Sequence, residues 1–298
     1  MDMFNKKSMK ERIGDIKKND SLNHLKEVEK YFLNAGRKYK FEIAYDVIAN
    51  EAPYFNTLNY TEWAHSFIMH PLCQELRVQQ MLDAHGDNAE VTCDYIEYFK
   101  NRIISGLSNK YTHINKVADE APVRDNLVVL VGSNKLKDRV CLNKLKWIKT
   151  THDDDVYFKP HPLTTYTLIG ELQDMFGKDT ILDRDTDMYY YLSKSKQVFT
   201  SHMSESAIYA VSLGIPIEPI DVYQKIDQGS FYHINKYLFS EGNPQAWVNR
   251  TLNSYKCGIV NPEVDPNWRP KIDAYLSYIS ELRNKYKNKY IPSMKPNE

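Results

Sequence analysis

The stretch 126-NLVVLVGSN-134 decides the fold class of this 298-residue chain. Five consecutive apolar residues follow Asn126, and three of them are valine. An apolar run of this length, without polar alternation, is typical of a strand that is buried on both faces of a parallel sheet. Gly132, Ser133 and Asn134 end the run abruptly, as expected of a tight turn into a helix. The stretch therefore predicts a buried strand and a strand-to-helix turn.

Strand-like and helix-like segments alternate along the chain after this run. The predicted strands are 155-DVYFKP-160, 180-TILD-183, 197-QVFTS-201 and 215-IPIEPID-221, and the predicted helices are 135–150, 164–177, 186–195 and 204–214. Strands that alternate with helices in this way form βαβ units, whose crossovers are right-handed. We therefore predict an α/β fold with a doubly wound parallel sheet in this part of the chain.

The N-terminal half has a different pattern, which is mostly helical. Residues 41–55 are predicted as a strand and a loop, because Pro53 excludes a continuous helix. Residues 60–86 have a helix-like pattern on both sides of Pro71, and 89–107 follow with a similar one. The N-terminal half is therefore expected to be helix-rich.

The change of character near Pro122 predicts three parts of the chain, namely 1–122, 123–240 and 241–298. The last part is expected to form two helices that are separated by the loop 258–270. A prior of ~150 residues per domain also favours two domains of ordinary size.

Composition limits the classes of protein to which the chain can belong. Charged residues make up 26% of it, and the mean hydropathy is −0.58. No apolar run approaches the ~18 to 20 residues that a membrane span needs, and the N-terminus lacks the apolar centre of a secretion signal. The four cysteines form no CxxC pair or Cys/His cluster. We expect a cytoplasmic protein without a membrane span and with reduced, packing thiols.

Formal charge sums to zero, with 39 basic and 39 acidic residues, but it is distributed unevenly. Residues 1–40 contain 11 basic and 6 acidic side chains. A basic end favours a phosphate-rich acceptor, and lysine-rich surface helices are the alternative interpretation.

Three polar segments follow predicted parallel strands, at 132–134, 159-KPHP-162 and 200-TSHMS-204. Ligands of open parallel sheets bind at the carboxyl ends of the strands, so these segments are expected to share the ligand edge. In KPHP the two prolines restrict the backbone on both sides of His161, and Lys159 lies on the same side of an extended chain. His161 is therefore a candidate donor of hydrogen bonds to a phosphate or ribose, or else it completes a structural turn.

The other two segments have residues that suit an anion. Gly132 permits a tight turn with free helix amides, and Ser133 adds a hydroxyl. Lys135 and Arg139 are four residues apart on one helix face and could flank a diphosphate. The Ser/Thr-rich turn at 200–204 supplies hydroxyls and amides, although each of these features is also compatible with a plain turn or helix cap. Three such loops on one edge favour a nucleotide-type ligand.

The ordered segments VLVGSN, KPHP and FTSHMSESAIYAVSLGIPI resemble the C-terminal domain of GT-B glycosyltransferases. The likeness covers residues 126–221 and is greatest to capsule-polysaccharide and sialyltransferase-like families, which have an HP motif and a downstream Ser motif. It implies a GT-B-like fold of two Rossmann-like domains with a nucleotide-sugar donor in the second. In that arrangement, 1–122 is the acceptor-side domain, 123–240 binds the donor, and the helices of 241–298 pack back across the cleft.

The resemblance also implies roles for individual residues. His161 would contact the phosphate or nucleotide of the donor, and Ser201, Ser204 and Ser206 would bind phosphate. Many UDP-sugar relatives have a ribose-binding Glu where this chain has Tyr209, and Glu205 is a candidate substitute.

Inverting transfer needs a base for the acceptor hydroxyl, which the GT-B arrangement takes from the N-terminal domain. Asp46 and Glu51 are the first candidates, followed by Asp94 and His65. No metal or other cofactor is expected, because the run 153–155 lies at the amino end of its strand. Asp183, Asp185 and Asp187 are interpreted as loop and cap carboxylates.

The expected partners are a nucleotide-sugar and a hydroxyl acceptor. The acceptor is either a glycan or lipid-linked sugar, or a hydroxymethylated base in phage DNA that is flipped out of the duplex. The alternatives are a non-catalytic nucleotide-binding regulatory protein and a glycerophosphate-type transferase.

Overall fold

The structure, a computed structural model, describes residues 20–45, 55–106, 122–131, 139–223 and 232–290. The chain divides into two compact units, each with its own sheet. One unit contains a mixed sheet and the described residues of 22–95, 232–237 and 241–290. The other contains a parallel sheet and the described residues of 20–21, 96–223 and 238–240.

In the described ranges, the mixed-sheet unit has four strands and four α-helices that lie entirely within it. Its elements, numbered along the whole chain, are α1 (Lys26–Lys38), β1 (Glu42–Tyr45), β2 (Thr57–Trp63), β3 (Ser66–Pro71), α2 (Gln74–His85), α9 (Pro244–Asn253), β8 (Ile259–Val260) and α10 (Trp268–Tyr290). The sheet order is β1-β2-β3-β8, in which β1 and β2 are parallel and the other two pairs antiparallel. This unit is α/β, but its sheet differs from the parallel Rossmann-like sheet that was expected for the N-terminal domain.

The helical interpretation of residues 60–71 is wrong, because β2 and β3 form a hairpin there. Trp63 pairs with Ser66, so the turn consists of Ala64 and His65, whose φ angles are 44° and 56°. Two positive φ angles characterise the tight turns that match the twist of a hairpin, although Asn-Gly is the usual sequence for them. Strand β3 is buried along its whole length, and periodicity cannot distinguish a fully buried strand from a buried helix.

The parallel-sheet unit contains the segments that alternate in the sequence. Its elements are α3 (Tyr95–Ile104, of which Tyr95 belongs to the other unit), β4 (Asn126–Val129), α4 (Arg139–His152), β5 (Val156–Lys159), α5 (Tyr166–Phe176), α6 (Met188–Leu192), β6 (Gln197–Thr200), α7 (Ser206–Ser212) and β7 (Ile217–Pro219). Helix α8 (Tyr232–Leu238) has residues in both units. The sheet order is β5-β4-β6-β7, and every pair in it is parallel. The prediction of an α/β unit with an all-parallel sheet is therefore confirmed.

The predicted strand at 180–183 is reduced to one bridge, in which Ile181 pairs in parallel with Phe158 of β5. If Ile181 is counted as the third strand, the order becomes 3-2-1-4-5, which matches five of the six strands of the Rossmann order 3-2-1-4-5-6. Successive strands are added on one side of β4 up to Ile181 and on its other side from β6 onward, so the strand order reverses between β4 and β6. Such sheets bind ligands at this point.

Helix α3 belongs by its contacts to the parallel-sheet unit, whereas the sequence placed the domain boundary near residue 122. The ring of Phe99 packs edge-on against that of Tyr209, with 5.8 Å between centroids. The helices after residue 241 complete the core of the mixed sheet, to which α10 contributes Trp268, Ile272 and Tyr275. Among the helices described, none is both long and apolar enough to cross a membrane.

Candidate functional site

The carboxyl ends of the four parallel strands place three polar segments on one edge of the sheet. Lys159 ends β5 and is followed by Pro160 and His161, and Ser201 and His202 follow β6. Asp221 lies two residues after the end of β7. Because all four strands are parallel, these segments occupy the edge at which open α/β sheets bind ligands.

His202 and Asp221 form a hydrogen-bonded pair on this edge. The Nδ1 atom of His202 lies 2.7 Å from Oδ1 of Asp221, and the backbone N–H of His202 donates to the same oxygen at 3.0 Å. The hydroxyl of Ser201 donates to Oδ2 of Asp221. The Asp221 carboxylate therefore bonds to one backbone N–H and two side chains of the loop after β6.

Burial and hydrogen bonding act in opposite directions on Asp221. The side chain is 13% exposed, and burial alone would raise its pKa. The hydrogen bonds from His202 and Ser201 stabilise the carboxylate and outweigh burial, so the pKa of Asp221 lies below its ordinary value. Asp221 is therefore an anion at neutral pH.

The serines of this loop bond mainly to the loop itself. The Ser206 hydroxyl lies 2.7 Å from the hydroxyls of both Thr200 and Ser204, and Ser206 is fully buried. The Ser201 hydroxyl also accepts from the backbone N–H of Met203 at 3.0 Å. Ser201 and Ser206 thus shape the turn into α7. Ser204 is half-buried.

Glu205 immediately precedes α7 and has no capping hydrogen bond from its side chain to the helix. Tyr209, which lies where the resemblance to GT-B enzymes implied a ribose-binding residue, is 1% exposed and packs edge-on against Tyr189 with 5.0 Å between centroids. Tyr209 is consequently a core residue of this unit.

The KPHP loop is held by its own hydrogen bonds. The ammonium of Lys159 donates to the carbonyls of Pro160 and Arg184 at 2.7 and 2.8 Å, and the residue is 2% exposed. Burial lowers the pKa of Lys159 to about 8, against the opposing effect of nearby carboxylates, chiefly Asp185. His161 is half-buried, and its Nδ1 accepts from the N–H of Leu163 at 3.1 Å. This bond leaves the donor role of the ring to Nε2.

Arg184 is a second buried cation near this loop, and sequence reasoning did not identify it. Its Nη1 donates to the carbonyl of Thr164 at 2.8 Å, and its guanidinium carbon lies 3.6 Å from the ring centroid of Tyr166. The Nε atom of Arg184 and the hydroxyl of Thr164 are buried without a hydrogen-bond partner. The carboxyl end of β5 therefore combines Lys159, His161 and Arg184.

Several predicted site residues lie outside the described residues. They are Asp46, Glu51, Gly132, Ser133, Asn134 and Lys135. Arg139 is the first residue of α4 as described. Of the other base candidates, Asp94 accepts from Nδ2 of Asn249 at 3.0 Å, and His65 lies in the hairpin turn of the mixed sheet.

The acidic runs lie in loops or at a cap. Asp153 and Asp154 contact Lys149 at the amino end of β5, and Asp187 caps α6 by accepting from the N–H of Tyr189 at 2.9 Å. Within the described ranges, no group of three or more His, Cys, Asp or Glu side chains is arranged to hold a metal ion.

His202 and Asp221 are two further functional candidates that sequence reasoning did not select. A signal was present, since His202 directly follows the predicted strand 197–201 and Asp221 ends the predicted strand 215–221. The pairing itself depends on the adjacency of β6 and β7. No protein family, curated protein or solved structure matches this chain, so its function must be argued from the geometry of this edge.

Proposed function

We propose that the protein is a cytoplasmic, nucleotide-sugar-dependent glycosyltransferase. The observation that carries the proposal is the parallel sheet, whose carboxyl edge bears the KPHP loop and the His202–Asp221 pair on either side of the switch point. A nucleoside phosphate is the ligand class that such an edge binds.

The donor phosphates are proposed to lie between the loops after β4, β5 and β6. His161 contributes Nε2, while Lys159 and Arg184 place positive charge beneath the loop. The segment 132–135 and Arg139 would complete the donor site from the loop after β4. In this proposal Ser201 and Ser206 act by shaping the loop, and Ser204 and Glu205 are nearer to the ligand.

The proposed reaction is an inverting transfer in a GT-B arrangement. The bond from the anomeric carbon to the phosphate oxygen breaks, and its electron pair stays on the phosphate. The acceptor oxygen forms the new bond and loses its proton to Asp46 or Glu51. Cationic groups stabilise the leaving phosphate, so the proposal needs no metal ion. The acceptor is a glycan or lipid-linked sugar, or a hydroxymethylated DNA base.

Thermal-shift measurements with UDP-, GDP-, ADP- and CMP-sugars test donor binding, because a ligand that binds only the folded protein raises Tm. We expect one nucleotide class to raise Tm in the wild type and less so in His161→Ala. Asp153→Asn is the matched control, since Asp153 lies at the opposite end of β5. A protein whose Tm responds to none of the nucleotide-sugars would contradict the proposal.

Donor hydrolysis tests the enzymatic part. Turnover is expected in the wild type and expected to be lost in both His161→Ala and Asp46→Asn, with circular dichroism unchanged. Donor binding without any turnover would instead indicate a binding protein. Mass spectrometry of DNA and surface glycans from expressing cells then identifies the acceptor.

A further inference from the structure

Tyr166 is an exposed aromatic residue at the edge of the parallel sheet where the strands end. It is the first residue of α5, the helix that follows β5 and the KPHP loop, and it is 68% exposed. Helix α5 begins at the carboxyl edge, because a crossover helix starts where the preceding parallel strand ends. A large aromatic side chain is therefore accessible at the edge where open α/β sheets bind ligands.

One face of the Tyr166 ring packs on the guanidinium of Arg184, whose central carbon lies 3.6 Å from the ring centroid. Arg184 is itself 5% exposed, and its Nη1 donates to the carbonyl of Thr164 at 2.8 Å. Because this buried cation covers one face, the exposed surface of the ring consists of the opposite face and the edges. An aromatic ring supported in this way loses little entropy when it stacks on a ligand.

Tyr166 is also near His161, the residue proposed to meet the donor phosphate. The N–H of Thr164 donates to the carbonyl of His161 at 2.9 Å, which closes a turn over residues 161–164. Such a turn brings its first and fourth Cα atoms within about 7 Å, and the two further residues to Tyr166 add at most about 7 Å. The two residues are therefore close enough for one nucleotide to contact both side chains.

We propose that Tyr166 is the stacking residue for the base of the donor nucleotide. This inference rests on the proposed function and deepens it by naming the side chain that meets the base while His161 meets the phosphate. Every nucleobase has a flat π-face, so stacking on an aromatic side chain adds affinity with little selection among bases. Tyr166 is therefore expected to serve purines and pyrimidines alike.

Exposure and a cation beside the ring do not by themselves identify a ligand site, as Trp147 illustrates. This residue is 48% exposed, and the ammonium of Lys144 lies 4.0 Å from its ring centroid. Trp147 belongs to the second half of α4, which runs back towards the amino ends of the strands, so it lies away from the ligand edge. Position at the carboxyl edge distinguishes Tyr166, and Trp147→Leu is the matched control variant.

Isothermal titration of the full chain with UDP, GDP, ADP and CMP tests the inference. Tyr166→Leu keeps an apolar side chain but removes the ring, whereas Tyr166→Phe keeps the ring and removes the hydroxyl. Pyrophosphate, or inorganic phosphate in the case of CMP, is the matched ligand without a base. Its affinity is measured by displacement of the bound nucleotide.

For the nucleotide that the wild type binds, we expect Tyr166→Leu to lower affinity about fivefold or more, as loss of one base–aromatic stack does. Tyr166→Phe and Trp147→Leu should bind the nucleotide as the wild type does. Affinity for the ligand without a base should be the same in all four proteins.

Tyr166→Trp gives a second measurement that does not depend on affinity. A base that stacks on the introduced indole should quench its fluorescence, compared with the same titration of the wild type. Pyrophosphate or phosphate should leave the emission unchanged. Circular dichroism identifies any misfolded variant, and if Tyr166→Leu does not fold, quenching in Tyr166→Trp decides.

The outcomes separate this inference from the function on which it rests. If the wild type binds a nucleotide and Tyr166→Leu binds it equally well, Tyr166 does not stack on the base and the donor-site proposal stands. An equal loss for the ligand without a base would mean that Tyr166 shapes the KPHP loop, and an equal loss in Tyr166→Phe would mean that the hydroxyl is the contact. Either result overturns the inference, as does a change confined to the KM for the acceptor. If the wild type binds none of the nucleotides, both proposals fail.

Discussion

Nδ1 of His202 lies 2.7 Å from Oδ1 of Asp221, although 19 residues separate the two in the chain. The adjacency of β6 and β7 brings them together, since one residue follows each strand end closely. The Asp221 carboxylate therefore stabilises the loop after β6 and also orients the His202 ring at the candidate site.

Asp221→Asn should destabilise the protein by about 2 kcal/mol at pH 7, because hydrogen bonds to a buried carboxylate are replaced by weaker ones to an amide. The pKa of Asp221 is lowered by folding. Its stabilising contribution is therefore complete above the unfolded pKa of about 3.9 and declines as pH falls through lower values. Urea unfolding at pH 7, 5 and 3.5 measures this difference. Asp174→Asn, at an exposed position, is the control and should change stability by less than about 0.5 kcal/mol.

His70→Gln should change how stability depends on pH. Burial, with a smaller effect of Arg77, lowers the pKa of His70 to about 3, and its ring bonds to Asn59 and to the carbonyl of Pro71 at 3.1 and 3.0 Å. Between that value and about 6.5, the unfolded chain binds a proton that the folded protein excludes. Wild-type stability should therefore fall by about 1.4 kcal/mol per pH unit below pH 6.5 from this residue alone.

The variant should lack this part of the slope, although it loses a buried hydrogen bond and starts from a lower stability. Urea unfolding at pH 7, 6 and 5 compares the two proteins. Equal slopes would mean that folding does not lower the pKa of His70.

Gly258→Ala and Gly170→Ala should have effects of opposite sign. Gly258 has a φ of 70°, and a Cβ there would overlap the carbonyl of Met69 and lie 2.9 Å from the Tyr275 ring. We expect a loss of about 3 kcal/mol or more from strain and overpacking. Gly170 lies within α5 with open space around the Cβ position, so alanine should add up to about 1 kcal/mol. Thermal and urea unfolding measure both, and a tolerated Gly258→Ala would show that β3 and α10 can separate at this point.

Tyr209→Glu should destabilise the protein and should not create a ribose-binding carboxylate. Tyr209 is buried against the rings of Phe99 and Tyr189, so a carboxylate there would be desolvated, and the negative charge of Glu205 would oppose it. We expect a loss of about 3 kcal/mol or more, against about 1 kcal/mol for the matched variant Tyr209→Phe. Unfolding curves decide this, and a stable Tyr209→Glu that gains UDP-sugar affinity would reverse the assignment of Tyr209 to the core.

The four cysteines should be unreactive in the folded protein. Cys73, Cys93, Cys141 and Cys257 are all buried and free, and burial raises the pKa of Cys73 to about 12. Because the thiolate is the reactive form, Ellman's reagent at pH 8 should react only as fast as the protein opens. Four equivalents should react at once in urea. Rapid reaction of one thiol without urea would identify a locally opening segment.

The parallel sheet could be predicted from residues 126–221 because its strands alternate with helices and because β4 and β5 are buried along their whole length. The apolar runs of these two strands are a local signal. The mixed sheet could not be predicted in the same way. Its hairpin turn consists of Ala64 and His65, which are not typical turn residues. Its edge strand β8 has only two residues, which is too short to give a recognisable strand pattern.

The candidate site was predictable only in part, for the same reason. His161 could be selected because the prolines beside it act locally on the backbone. The burial of Lys159 and its bond to the carbonyl of Arg184 depend on a residue 25 positions away.

The sequence by itself determined the α/β class, the parallel strands and the edge on which their polar loops lie, because apolar runs and prolines act over a few residues. Only the tertiary structure decided which side chains meet at that edge. Strand β6 pairs with β7, and this pairing brings His202 within hydrogen-bond distance of Asp221. Lys159 and Tyr209 are buried in the folded unit. Contacts between distant residues are set by which strands are neighbours, and packing of the whole sheet determines that order.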